Sequence, residues 1–70
     1  MRAKLKNARK SAELTQQEMA DKLCISLRYY QQIEVGDRTG DFTLWDKLED
    51  ITGIHQRILR EINPAPKDNL

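Results

Sequence analysis

Thr15-Gln16-Gln17-Glu18-Met19-Ala20-Asp21-Lys22-Leu23-Cys24-Ile25-Ser26-Leu27-Arg28-Tyr29-Tyr30-Gln31-Gln32-Ile33-Glu34-Val35-Gly36 decides how this chain folds. It opens with a capping box, in which Thr15 accepts from the amide of Glu18 and Glu18 reaches back to Thr15. Leu14 before the cap and Met19 one turn inside fit a hydrophobic staple, and Met19, Ala20 and Leu23 follow at helical spacing. Ser26 is a good N-cap for a second helix that runs through Glu34 and stops at Gly36, a residue suited to a left-handed C-cap. Only Cys24, Ile25 and Ser26 separate the two helices, too few for antiparallel packing, so the helices are expected to cross steeply as a helix-turn-helix.

The flanks read as further helices. Before the motif, residues 2–12 combine Leu5 and Ala8 with Arg2, Lys4, Lys6, Arg9 and Lys10 and contain no Gly or Pro. After it, residues 36–40 form a polar loop, and Asp41 or Thr43 can cap a fourth helix. Phe42, Trp45, Leu48 and Ile51 are expected to make its apolar face, with Gly53 closing it. A fifth helix is expected from His55 to Asn63, with Ile58, Leu59 and Ile62 apolar and Pro64 ending it. The organisation expected is one domain over residues 1–63 and a mobile tail over 64–70. Pro64 and Pro66 would equally suit a linker to a further domain.

Composition narrows the function. With 39% apolar and 33% charged residues among 70, the chain suits a small globular domain with a thin core. No apolar run approaches the ~20 residues of a membrane span, and the basic first ten residues lead into no apolar stretch, so no secretory signal is read. A single cysteine, Cys24, excludes an internal disulfide and fits a reducing cytoplasm. His55 stands alone as the other good transition-metal ligand, so no metal site is expected, and no cofactor. One His, one Cys, no Gly-rich phosphate loop and little room for a pocket argue against an enzyme. Glu49 and Asp50 point about 100° apart on a helix and read as solvated surface.

The net charge of +1 does not itself announce a nucleic-acid partner, but its distribution is uneven. Residues 1–40 hold eight Lys/Arg against five Asp/Glu, and residues 41–70 hold four against six. A basic end can face phosphate while the acidic end faces away; an ordinary solvated surface would look the same. The third helix is more specific. On a helical wheel started at Ser26, Tyr30, Ile33 and Glu34 cluster within about 100° on one side, while Arg28, Gln31 and Gln32 fall at about 140–240° on the other. Arginine can donate twice to guanine O6 and N7, glutamine matches adenine N6 and N7, and Leu27 can touch a thymine methyl. Gln16, with Gln17 beside it, opens the preceding helix, where N-termini attract phosphate. Tyr29 reads equally as a phosphate contact and as a plain surface tyrosine. A polar solvated face is the plainer reading of the whole side.

The run Thr15 to Ser26, continued to Ile33-Glu34-Val35-Gly36, resembles the xenobiotic-response-element family of helix-turn-helix domains, to which the lambdoid phage repressors and Cro proteins belong. The family pattern is Thr-Gln-x-Glu-Leu-Ala, then Leu-Gly-Val-Ser, then Ile-Glu-x-Gly, and the likeness extends over about residues 2–63. It implies an all-α, compact five-helix bundle of the lambda-repressor-like DNA-binding type. It further implies that Gln16 contacts phosphate and supports the base readers. Leu27, Arg28 and Gln32 would read bases, Ser26 would cap and touch DNA, and Arg9 would pair with Glu34. Arg38 and Thr39 would lie in a loop that touches the backbone. The chain departs from the pattern at Cys24, which replaces the turn glycine, at Tyr30, whose hydroxyl needs a partner, and at Val35 and Asp37, where basic or polar contacts are common.

The expected function is therefore a sequence-specific transcriptional regulator, a repressor in type, bound to double-stranded DNA at a palindromic operator as a homodimer. Ile54, Ile58, Leu59 and Ile62 are the expected dimerisation residues, since helix five carries more apolar residues than one inward stripe requires; simple closure of the core is the other reading. Absence of a sensor domain argues against small-molecule control. A protein-interaction module on the same fold, such as an antitoxin or anti-repressor, is the alternative.

Overall fold

Five helices form from the helix-forming runs, four of them opened by a side-chain cap. In the computed structural model, which describes residues 1–62, they are α1 (Ala3–Ser11), α2 (Gln16–Leu23), α3 (Leu27–Val35), α4 (Phe42–Thr52) and α5 (Gln56–Leu59), and no strand occurs among the described residues. The all-α five-helix bundle expected from the sequence is thus what forms. The expected tail and the stop at Pro64 lie outside the described residues.

The caps follow the sequence. The Thr15 hydroxyl accepts from the Glu18 amide at 3.1 Å, and the Glu18 carboxylate accepts from the Thr15 amide at 2.8 Å, closing the capping box. Those bonds hold the exposed Glu18 carboxyl below the usual carboxylate range. Ser26 accepts from the Tyr29 amide at 3.1 Å, and His55 Nδ1 accepts from the Arg57 amide at the start of α5. Of the two candidates at α4, Asp41 is the cap: its carboxylate accepts from the Leu44 amide at 2.8 Å.

The core draws on every helix. Leu5, Met19, Tyr30, Ile33, Trp45, Leu48 and Leu59 are essentially inaccessible to solvent. Each aliphatic or aromatic side chain buried in this way contributes about 1.5–3 kcal/mol relative to exposure, so a 70-residue chain with few such residues depends on all of them.

Three expectations are corrected. Phe42 does not join the inner face of α4; it is 77% exposed, while Leu44, Trp45 and Leu48 are buried and Ile51 packs beside them. Residues two apart on a helix point about 200° apart, so with Leu44 inside, Phe42 is turned out. The fifth helix is also shorter than the expected span to Asn63 and ends at Leu59. Arg60, at φ −75° and ψ −11°, closes the last turn, and Glu61 and Ile62 lie outside the helix. The Arg60 carbonyl instead accepts from the Arg2 guanidinium Nε at 3.1 Å. With α5 so short, Leu59 faces wholly inward. It is a core residue and is withdrawn from the expected dimer surface, for which its apolar character had been counted.

Candidate nucleic-acid interface

The joint between α2 and α3 sets the direction of α3. Cys24 has φ 59° and ψ 39°, the left-handed conformation that favours glycine. Its amide donates to the Asp21 carbonyl at 3.1 Å, and the Ile25 amide donates to the Ala20 carbonyl at 3.0 Å. This is a Schellman ending, which satisfies carbonyls that α2 would otherwise leave unpaired. The Ile25 side chain packs against the core, and Ser26 then starts α3. The turn expected from three residues is made, with the strain expected of a side chain at the glycine position, about 1–2 kcal/mol.

Alternation around α3 follows the wheel. Tyr30, Ile33 and Glu34 are buried, whereas Arg28 and Gln31 are exposed. Leu27, Tyr29 and Gln32 are half-buried at the margins. Gln16, at the start of α2, lies against α3: the Gln31 Nε2 donates to the Gln16 Oε1 at 3.2 Å. Gln17 points elsewhere and donates to Asp21 one turn along its own helix at 2.9 Å.

Beneath that face Glu34 gathers four donors from three side chains. Arg9 donates through Nε at 2.9 Å and Nη2 at 3.3 Å, the Tyr30 hydroxyl at 2.6 Å and the Gln16 amide at 3.1 Å. Burial alone would push the Glu34 carboxyl up; the bonds from Arg9, Tyr30 and Gln16, with the Arg9 charge, outweigh it and hold the group below the usual carboxylate range. The bond to Glu34 likewise raises Arg9, against its own desolvation. Burial and the neighbouring carboxylate push the Tyr30 hydroxyl far up, so it stays a donor. The Arg9–Glu34 pair implied by the resemblance is present, and Tyr30 finds in Glu34 the partner its hydroxyl requires. A continuous chain of hydrogen bonds runs from α1 through Glu34 and Gln16 to Gln31 on the exposed face.

At its other end α3 passes through Gly36, at φ 98°, into residues 37–40, where Asp37, Arg38 and Thr39 are exposed. The Gln32 carbonyl receives the amides of Gly36, Asp37 and Arg38 at 3.1, 2.9 and 3.2 Å. Trp45 Nε1 donates to the Thr39 carbonyl at 2.7 Å.

A family model described as Helix-turn-helix matches residues 5–55. The chain belongs to the xenobiotic-response-element helix-turn-helix family. Neither a curated protein nor a solved structure matches it significantly. Membership of the family points to a DNA-binding regulator and away from catalysis. Among the described residues, no helix is long and apolar enough to cross a membrane.

Within this helix-turn-helix domain, Gln16, Ser26, Leu27, Arg28, Tyr29, Gln31 and Gln32 sit on or beside the α2–α3 joint and the outer side of α3, and Arg38 and Thr39 stand in the loop beyond it. The sequence reading missed the convergence on Glu34 through Tyr30, although the four-residue spacing of the two on α3 was a legible signal. It also missed the burial of Arg2, which is only 4% exposed. No local pattern marks that burial, because every group its side chain binds lies far along the chain.

Proposed function

We propose that this helix-turn-helix protein is a transcriptional regulator, a repressor in type, that reads a palindromic operator in the major groove with α3. Arg28 is the guanine reader, Gln32 and Gln31 are the amide readers, and Leu27 contacts a thymine methyl. Gln16, Gln17, Ser26, Tyr29, Arg38 and Thr39 take phosphate or support those readers. The observation that carries this reading is the Gln16–Gln31 bond across the α2–α3 joint, anchored through Glu34 to Arg9. It holds a polar face in place before any ligand arrives, and preorganised groups lose less freedom on binding.

A homodimer would place two copies of α3 about one DNA turn apart. Ile58 and Ile62, 43% and 44% exposed, support an interface at the C-terminal side of the domain, with Ile54 half-buried beside the core. The exposed thiol of Cys24 suits a cytoplasmic, reducing setting. No small-molecule ligand is needed for this reading.

Selection of bound duplexes from a random pool tests it. The expected result is a palindromic consensus whose affinity falls by about 0.9 log units per log unit of salt for each phosphate contact. A protein-interaction module is the second reading, favoured by Val35, 50% exposed, and by exposed Asp37 at the end of α3. A flat salt response and no enriched sequence would establish that reading in place of the first.

A further inference from the structure

Arg2 is buried, and no carboxylate among the described residues pairs with it. Its guanidinium Nη1 donates to the carbonyls of Ile33 at 2.6 Å and Arg38 at 2.8 Å, and Nε donates to the carbonyl of Arg60 at 3.1 Å. Its backbone amide donates to the Glu34 carbonyl at 2.8 Å. The guanidinium carbon stands 5.2 Å from the centre of the Trp45 ring, within range of a cation–π contact. Burial, and then the positive charge of Arg60, lower the proton affinity of the group. A buried cation beside a second arginine is unfavourable unless its donors are well used, so the position of those donors is informative.

They converge on the C-terminal ends of helices and on one loop. The last turn of α3 has no basic residue of its own. Arg2 supplies the missing cation from elsewhere in the chain, at the negative end of the helix dipole: its guanidinium bonds the Ile33 carbonyl and its backbone amide bonds the Glu34 carbonyl, two of the last four of α3. The same side chain reaches the residue after α5 and the loop after α3. That loop is fastened at three successive residues: Arg38 by Arg2, Thr39 by Trp45 Nε1, and Gly40 by direct packing. Gly40, at φ 76°, lies so close to Leu44, Ile33 and Trp45 that a Cβ there would collide with Leu44.

We infer that Arg2 is a positioning residue: seated on Trp45, it fixes the loop 37–40 against the end of α3 and so sets where Arg38 and Thr39 meet the DNA backbone. This rests on the DNA-binding reading above. Arg2 itself does not touch DNA, being inside the protein; it acts through the exposed Arg38 side chain, whose carbonyl it holds.

The test uses the full chain with Arg2→Gln, Trp45→Phe and Arg38→Ala. Trp45→Phe keeps an aromatic ring under the guanidinium and removes the bond to Thr39. Native-state hydrogen exchange reads the loop without DNA. In Arg2→Gln and Trp45→Phe, the amides of Asp37 and Arg38 are expected to exchange at least tenfold faster, with those inside α2 little changed. Arg2→Lys, which restores the cation, is expected to recover part of the protection. A uniform acceleration across α2 and the loop would mean that Arg2 only stabilises the whole domain, and would overturn the inference. Binding to the duplex selected by the native chain reads the DNA end. Arg38→Ala is expected to make the salt slope shallower by about 0.9 for each bound protomer, one phosphate contact in each half-site. Arg2→Gln should do the same, and the double variant should be no shallower than Arg38→Ala. A changed slope for Arg38→Ala with a native slope for Arg2→Gln would also overturn the inference. A native slope for Arg38→Ala would instead remove Arg38 from the DNA interface and overturn the DNA end of the inference, leaving exchange to decide whether Arg2 holds the loop.

Discussion

The two ends of α3 are held by different physics. At the N-terminal end everything is local: Cys24 turns the chain, Ser26 caps the helix, and Gln16 reaches Gln31 from the helix immediately before. At the C-terminal end the helix closes on Gly36, but the loop beyond it is fastened by Arg2 from the start of the chain and by Trp45 from α4. The turn and caps of the first end use only neighbours within residues 15–36, whereas the fastening of the second exists only once α1 and α4 have docked. Local unfolding should begin at the C-terminal end, whose fastening by Arg2 reaches across 31 to 36 residues and depends on α1 staying docked.

Glu34 connects the two ends, since it is in the last turn of α3 yet holds Gln16 at the joint. Removing its main partner is the largest way to break the comparison. Arg9→Ala leaves a carboxylate that is 2% exposed without its counter-charge, and loss of one member of a buried pair costs about 3–5 kcal/mol. Urea unfolding should show the free energy of unfolding falling by that amount, read as a lower midpoint at an unchanged slope. A loss under about 1 kcal/mol would mean that Tyr30 and Gln16 suffice to hold the charge.

Acid should act on the same group. The Glu34 carboxyl is held below its ordinary value of 4.5 in the folded protein. A depressed folded value means that its stabilisation is complete above the ordinary value and is lost as the pH falls below it. Melting temperatures compared at pH 5 and pH 3 should fall less steeply in Glu34→Gln than in the native chain. The exposed Glu18, lowered by its capping bonds, contributes in both and does not disturb the contrast.

The sequence was most legible where partners are near neighbours. Thr15, Glu18, Ser26 and Gly36 announce their caps by spacing alone, whereas the left-handed position of Cys24 was marked only by the family's turn glycine. The Arg9–Glu34 pair came from resemblance to the family and not from the residues themselves. Arg2 was illegible because its carbonyl partners are 31 to 58 residues away, and carbonyls carry no residue identity that a pattern can detect. Phe42 misled because its three-residue spacing to Trp45 is helical, while Leu44 competed for the interior from the opposite side and won. Leu59 misled for a similar reason: it was counted as surplus on a long amphipathic helix, and the short α5 left it as the one residue of that helix buried in the core.

The exposed side of the N-terminal end can be separated from the scaffold. Arg28 is exposed and makes no contact on which the fold depends. Arg28→Ala should leave stability within about 0.5 kcal/mol, as surface substitutions do. It should cost about 1–3 kcal/mol of specific binding and relax preference at one base pair. Binding measured against a panel of single-base variants of the selected duplex decides the role. An equal loss on every duplex would make Arg28 a phosphate contact, and no loss on any would remove it from the interface.

The smallest expected effect sharpens the comparison most, because it concerns the joint alone. Cys24 holds a left-handed φ of 59° with a side chain that is exposed and unpaired in a disulfide, so nothing in the folded state offsets the clash of its Cβ with the backbone. Cys24→Gly removes that clash, worth about 1–2 kcal/mol, and returns part of it through the greater freedom of the unfolded chain, worth about 0.5–1 kcal/mol. A net gain of about 1 kcal/mol or less is expected, read as a higher urea midpoint. Because the Schellman bonds from Cys24 and Ile25 use only backbone atoms, the crossing of α2 and α3 should not change, and affinity for the selected duplex should stay within about twofold. If stability rises while affinity falls, the strained turn is part of how α3 is aimed, and the local end of the helix is set by strain as well as by caps.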